Sequence, residues 1–233
     1  MLRRPLSGAS FPFLLPCRKG DLPWRPQASA RCPDPQAHGG NARDAFHVIV
    51  PTLPGFGFSG PAVGWTAERV ARVWAVLMVR LGYDRYGAHG GDLGSRVTRH
   101  LAGLAIEHLT GIHLTSILSA LIDPATAAPE DAVDRDAMLT NIMIYWLNST
   151  AGSAARYYFE DGFTWGQPGP RIEIPVAVAQ FPHDISVTVR RIAERTHNIV
   201  RWTEFDHGGH FPGLEQPDLL VEDLRDFYRH VRH

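Results

Sequence analysis

His89-Gly90-Gly91-Asp92-Leu93-Gly94-Ser95 decides how the rest of the chain is read. It joins a strand candidate over 83–89 to a helix candidate over about 95–104. Small residues two positions either side of a central nucleophile mark a turn with no room for larger side chains, and the central residue is lifted into the open. Here that residue is Asp92. A carboxylate so placed suits attack at an sp3 carbon, giving an alkyl-enzyme ester that water then hydrolyses. The plainer alternative is a glycine turn in which Asp92 only caps the following helix.

Outward from this stretch, strand and helix signals alternate. Phe46-His47-Val48-Ile49-Val50 is a β-rich run closed by Pro51. Over 66–81, Val70, Val73, Trp74, Leu77 and Leu81 stand at helical spacing behind the N-cap candidate Thr66. Further strands are expected at 109–114, 174–181 and 199–205. A last helix is expected from Gln216-Pro217, with Leu219, Leu220, Leu224 and Phe227 on one face. Alternation of this kind predicts a mostly parallel sheet with helices on both faces. Residues 129–160 break the pattern with a helical block carrying Leu139, Ile142, Met143, Tyr145 and Trp146, then a second helix over about 152–160. That block reads as an insertion over one edge of the sheet.

Of 233 residues, 44% are apolar and 20% charged, an ordinary globular mix that excludes disorder, coiled coil and collagen. Twenty-three basic residues face 24 acidic ones, so no basic surplus recommends a nucleic acid or an anionic membrane. Lys19 is the only lysine among the basic residues. No apolar run reaches the roughly 18 residues of a membrane span, and Pro12 and Pro16 interrupt the one stretch resembling a signal sequence. Cys17 and Cys32 form neither a CxxC pair nor a metal spacing. A cytoplasmic protein is expected. Segment 16–40, rich in Pro, Arg, Gly, Ser and Ala, lacks periodicity and makes 1–45 an irregular N-terminal segment.

Two more motifs accompany Asp92. Gly208-Gly209-His210-Phe211 follows a strand candidate and precedes the last helix, where a late-chain catalytic histidine would lie. His210 could equally be structural, and His207-x-x-His210 could be read as two metal ligands, although no third ligand stands nearby. Phe181-Pro182-His183-Asp184 ends a strand 26 residues before His210. A carboxylate there would orient the imidazole and stabilise its charged form. Asp184 could also cap a helix over 186–197.

Taken in order, these motifs resemble the epoxide hydrolase family, in its microsomal-like branch. The similarity rests on Thr52-Leu53-Pro54-Gly55-Phe56-Gly57-Phe58-Ser59-Gly60-Pro61, Gly64-Trp65-Thr66, Gly90-Gly91-Asp92-Leu93-Gly94, Phe181-Pro182-x-Asp184 and Gly208-Gly209-His210-Phe211 with Glu215-x-Pro217. It runs from about residue 37 to the end. The resemblance implies an α/β-hydrolase fold, with the core at 46–114 and 166–233 and a shortened helical lid at 115–165. It implies Asp92 as nucleophile, Asp184 as relay acid and His210 as the base that activates water. Leu93 would contribute its backbone N–H to the oxyanion hole. Tyr158, in Arg156-Tyr157-Tyr158, matches a lid tyrosine that polarises the epoxide oxygen. Packing beside Tyr157 and Trp146 is the other reading of Tyr158. The implied partners are a small apolar epoxide and water, with no metal or organic cofactor; a homodimer is compatible with this. The family's hydrolases serve detoxification and the catabolism of aromatic hydrocarbons.

The chain also departs from the family pattern. Leu93 stands where the family has tryptophan. No His-Gly-x-Pro oxyanion motif is present: Ala37-His38-Gly39-Gly40 lies too close to the strand at Phe46, and Cys17-Arg18-Lys19-Gly20 would fill the place only if 11–15 is an earlier strand between 46–50 and 84–89. The stretch between Thr115 and Ala128 contains no second lid tyrosine. The family's N-terminal meander and first strands are not matched. A truncated, inactive relic of the family is therefore one alternative. A haloalkane dehalogenase-like hydrolase is another, opposed by Leu93, which cannot hold a halide.

Overall fold

The structure is a computed structural model that describes residues 11–14, 35–39, 41–115, 133–161, 170–184 and 188–231. Among the described residues six strands form one sheet: β1 Phe11–Leu14, β2 Phe46–Ile49, β3 Tyr86–Gly91, β4 Leu109–Thr115, β5 Ile172–Gln180 and β6 His197–Glu204. Their order is β2-β1-β3-β4-β5-β6 and every neighbouring pair is parallel. Parallel neighbours need crossovers. α1 Ala67–Arg80 joins β2 to β3, and α2 Leu93–Leu104 joins β3 to β4. Helices α3 Arg135–Leu147 and α4 Ala151–Glu160 stand between β4 and β5. The one-turn α5 Arg190–Ala193 precedes β6, and α6 Pro212–Glu215 and α7 Pro217–Val231 follow it.

The candidate strand near the N-terminus is β1, and it occupies the slot between β2 and β3: Phe13 pairs with Val48 on one side and Gly87 on the other. The sheet is thus continuous where the nucleophile strand needs a neighbour. β3 and β4 are buried along their whole length. Beneath them α7 comes so close that a Cβ on Gly87 would lie 2.3 Å from the Tyr228 ring, and the Tyr228 hydroxyl donates to the Ala88 carbonyl at 2.8 Å. Only glycine permits that approach. Also on this side, His89 and His113 meet Nδ1 to Nδ1 at 2.9 Å, and His113 Nε2 lies 2.8 Å from Asp223 on α7. Burial alone would raise the Asp223 pKa. Hydrogen bonds from His113, Thr203 and Arg201 outweigh it and hold the carboxyl at about 2.

α1 shows how the apolar stripe is set. Thr66 caps it by accepting from the Arg69 amide at 3.3 Å, as the sequence predicts. The buried face runs through Ala67, Val70, Ala71, Trp74 and Met78. Val73 and Leu81, expected inside, are exposed. Val73 falls off the stripe that the helical period of 3.6 carries through positions 67, 71, 74 and 78, whereas Leu81 continues that stripe but is the C-cap, beyond the last helical residue Arg80.

One other expectation is met in part and one shifts. Within the expected helical block, α3 begins at Arg135, behind the Asp134 side chain that accepts from the Ala137 amide at 2.9 Å; the expected start at Pro129 lies outside the described residues. Of the helix expected over 186–197, the described residues 188–197 hold only the single turn α5. The Ile172 amide donates to the Thr196 carbonyl at 2.9 Å, which draws the chain into the sheet before a longer helix can form. Among the described residues no helix is long and apolar enough to cross a membrane.

Candidate active site

Asp92 stands between β3 and α2 with φ 48° and ψ −125°, a left-handed conformation that costs a non-glycine residue about 1–3 kcal/mol. Steric demand on both sides enforces it. A Cβ on Gly90 would lie 2.2 Å from the Gly94 carbonyl oxygen and 2.6 Å from Thr98 Oγ1. The Ser95 hydroxyl donates to the Asp92 carbonyl at 2.6 Å and closes the turn. The Asp92 side chain makes no capping bond to α2, so the plain capping reading of this aspartate does not hold. Leu93 opens α2, where an amide has no acceptor within the helix. Its side chain is buried in the core.

The loops after β5 and β6 bring two more groups to this turn. They zip together where His183 and Gly209 form an isolated parallel bridge, with the His183 amide donating to the Gly208 carbonyl at 3.3 Å. That bridge places Asp184 Oδ1 3.1 Å from His210 Nδ1. The other ring nitrogen, His210 Nε2, lies 3.8 Å from Asp92 Oδ2. All three side chains are buried. The first distance is a hydrogen bond; the second is too long for one. The imidazole is thus oriented by Asp184 and stands off from Asp92.

Glu215 completes the loop, a role the sequence did not disclose. Its two carboxylate oxygens accept from the Gly209 and Phe211 amides, both at 2.9 Å, so they grip the backbone on either side of His210. The Glu215-x-Pro217 motif marked the residue. The grip depends on the loop's fold and has no signature of its own.

Tyr158 lies on α4 and is 37% exposed. Its neighbour Tyr157 takes the packing role: it is buried edge-on against Phe56, with ring centroids 5.7 Å apart. Trp146 is 76% exposed, so it forms no buried wall for Tyr158. Polar groups dock α4 over the loop that follows β2: the Thr150 and Ser153 hydroxyls donate to the Gly57 and Gly55 carbonyls at 3.3 and 2.5 Å. His38 sits in an exposed turn ahead of β2. The oxyanion candidate Cys17-Arg18-Lys19-Gly20 and the stretch from 116 to 128 lie outside the described residues. His207 bonds to Asp206, and among the described residues no group of three or more His, Cys, Asp or Glu side chains converges on a metal position.

A family profile described as alpha/beta hydrolase fold matches residues 39–169, over half of the chain. The chain belongs to that family. Within the alpha/beta hydrolases it is 38% identical over 263 residues to a Stigmatella aurantiaca protein named "Putative epoxide hydrolase", covering 85% of this chain and 60% of the relative. It is 24% identical to epoxide hydrolase 1 of Oryctolagus cuniculus, covering 83% of this chain and 62% of that one. The chain thus spans about 60% of the length of these curated relatives. The crystal structure of juvenile hormone epoxide hydrolase from the silkworm Bombyx mori superposes with a TM-score of 0.84 at 22% identity, over 99% of this chain and 71% of that one. The Aspergillus niger epoxide hydrolase structure superposes with a TM-score of 0.75, also at 22% identity, over 95% and 72%. These superpositions show a shared fold.

Proposed function

We propose that this alpha/beta hydrolase opens a small apolar epoxide to a vicinal diol through an ester on Asp92, with residues 46–114 and 166–233 as core and 115–165 as lid. The observation that carries this reading is the pairing of a carboxylate nucleophile at the strained turn with an imidazole that stands off it by 3.8 Å. A carboxylate is ionised at neutral pH and needs no base to attack. A histidine near it is therefore useful for the later step, deprotonating a water held between them.

In the first half-reaction an Asp92 oxygen attacks a ring carbon. The ring C–O bond breaks, and the departing oxygen takes a proton from the Tyr158 hydroxyl. In the second, His210 Nε2 takes a proton from water as the oxygen adds to the ester carbonyl. The Leu93 N–H faces the resulting oxyanion, and Asp184 stabilises the imidazolium. The ester C–O bond then breaks and the diol oxygen receives the proton from His210; the second water proton, left on the Asp92 carboxyl, returns to the Tyr158 phenolate, so that Asp92 ends as a carboxylate and Tyr158 as a neutral phenol. The names of the relatives support this chemistry.

Purified protein given styrene oxide is expected to form the diol, and Asp92→Asn to abolish it. A single turnover in heavy-oxygen water is expected to label Asp92 before the diol. Diol formation that survives Asp92→Asn overturns the mechanism.

A further inference from the structure

We infer that Glu160 and Asp161 are positioning residues for Tyr158, a carboxylate strap that registers the lid against the nucleophile's own helix. The inference deepens the epoxide hydrolase reading and rests on it. Tyr158 lies two residues before this pair at the end of α4, so whatever fixes the pair fixes the tyrosine's backbone. Glu160 Oε2 accepts from the Gly64 and Trp65 amides at 2.6 and 3.3 Å. Asp161 Oδ1 accepts from the Ala67 amide at 2.7 Å, at the first residue of α1, where the helix dipole favours negative charge. The remaining oxygen, Asp161 Oδ2, stands 2.7 Å from an Arg96 guanidinium nitrogen, with side chains only 4% and 13% exposed. The two form a largely buried ion pair.

Arg96 is the decisive member. It stands on α2 four residues after Asp92, one helical turn along the element that the nucleophile begins. The far end of α4 is tied by neutral hydroxyls to a loop, whereas this end is tied by buried charge to the elbow helix. A buried ion pair adds little net stability, because desolvation offsets its attraction. What it does supply is a defined geometry, since displacing either partner strands the other charge out of water. Ring opening needs that geometry. The proton donor must reach the epoxide oxygen while Asp92 attacks the carbon, and a misplacement of about 1 Å can cost a factor of about 100.

The two half-reactions separate this role from simple support. Stopped-flow single turnovers with styrene oxide read ester formation and ester decay independently. Asp161→Asn keeps an oxygen for the Ala67 amide and removes the charge facing Arg96; Glu160→Gln makes the matching change beside Gly64. Each is expected to slow ester formation roughly 10- to 100-fold while leaving ester decay unchanged. In a Tyr158→Phe background neither is expected to slow it further, and Arg96→Lys, which keeps the cation, is expected to retain most of the rate. Thermal melts establish that each variant is folded. Equal slowing of both steps, full additivity with Tyr158→Phe, or unchanged ester formation overturns the strap. A wild-type protein that forms diol by a route insensitive to Tyr158→Phe also overturns the strap alone. A wild-type protein inert toward epoxides overturns the functional reading and takes the strap with it.

Discussion

At the elbow, Asp92 is fixed by contacts within a few residues: Gly90 leaves room for the Gly94 carbonyl, and Ser95 reaches back to the Asp92 carbonyl. On the proposed lid, α4 is fixed by partners 93 to 98 residues away, through Thr150 to Gly57, Ser153 to Gly55, Glu160 to Gly64 and Trp65, and Asp161 to Ala67. The elbow is a steric device that any strand entering any helix could form. The lid contacts exist only after α1, α2 and the loop following β2 have assembled. The outer surface of α3, with Ile142, Trp146 and Leu147 exposed, takes no part in that docking. One region is therefore locally encoded and intolerant of added atoms, while the other is encoded at a distance by polar groups.

Gly90→Ala is the hardest test of the elbow's side of this contrast. Its Cβ would meet backbone at 2.2 and 2.4 Å, atoms that cannot swing aside. The expected cost is about 3–5 kcal/mol, with a melting temperature lower by on the order of 10 °C. A melt within 2 °C or so of wild type would show that the turn is far softer than its geometry indicates.

The core carries a second liability in His197, buried at the start of β6. Burial, and next the charge of Arg99, push its pKa down from 6.5 to about 4, against a weaker upward pull from its hydrogen bond to the Ala193 carbonyl. The folded state thus prefers the neutral ring, and the unfolded chain binds the proton more readily. The stabilisation is complete above pH 6.5 and is lost as the pH falls through about 4. Its size is up to about 3 kcal/mol, at roughly 1.4 kcal/mol per pKa unit. Denaturant midpoints at pH 7 and pH 4.5 are expected to converge for His197→Asn relative to wild type. Parallel losses in the two proteins would assign the acid sensitivity elsewhere.

Glu215→Gln should give the kinetic mirror image of the lid variants. The amide keeps one acceptor oxygen but turns a donor toward a backbone N–H, weakening a charge-assisted grip worth about 1.5–3 kcal/mol. Ester decay is expected to slow about tenfold while ester formation holds, so the ester accumulates. Slowing of ester formation instead would mean that the histidine loop and the lid are not separable.

This contrast also explains what could be read in the sequence. The elbow, the histidine loop and the acid at 184 were legible because tight turns restrict which residues fit them. The sheet was legible because alternating strands and helices leave few topologies. β1 was ambiguous, because a four-residue run followed by Pro16 carries no periodicity of its own and becomes a strand only between β2 and β3. Glu160, Asp161 and Glu215 could not be assigned roles in advance. Their acceptors serve backbone amides, and amides carry no residue identity for a pattern to detect.

Gly152→Ala closes the comparison by applying the Gly90 change to the lid. Gly152 lies in the first turn of α4, is exposed, and would place its Cβ with nothing within 4 Å. Relief of the glycine's entropy should stabilise the protein by about 0.5 kcal/mol, a melting shift of roughly 1–2 °C. If α4 is held by its distant polar partners, stiffening its first turn changes stability and leaves ester formation alone. A slowed ester formation in Gly152→Ala would instead mean that the lid's placement is written in its own first turn. The same methyl group would then be felt at both ends of the site, and the division between a locally encoded elbow and a remotely encoded lid would fail.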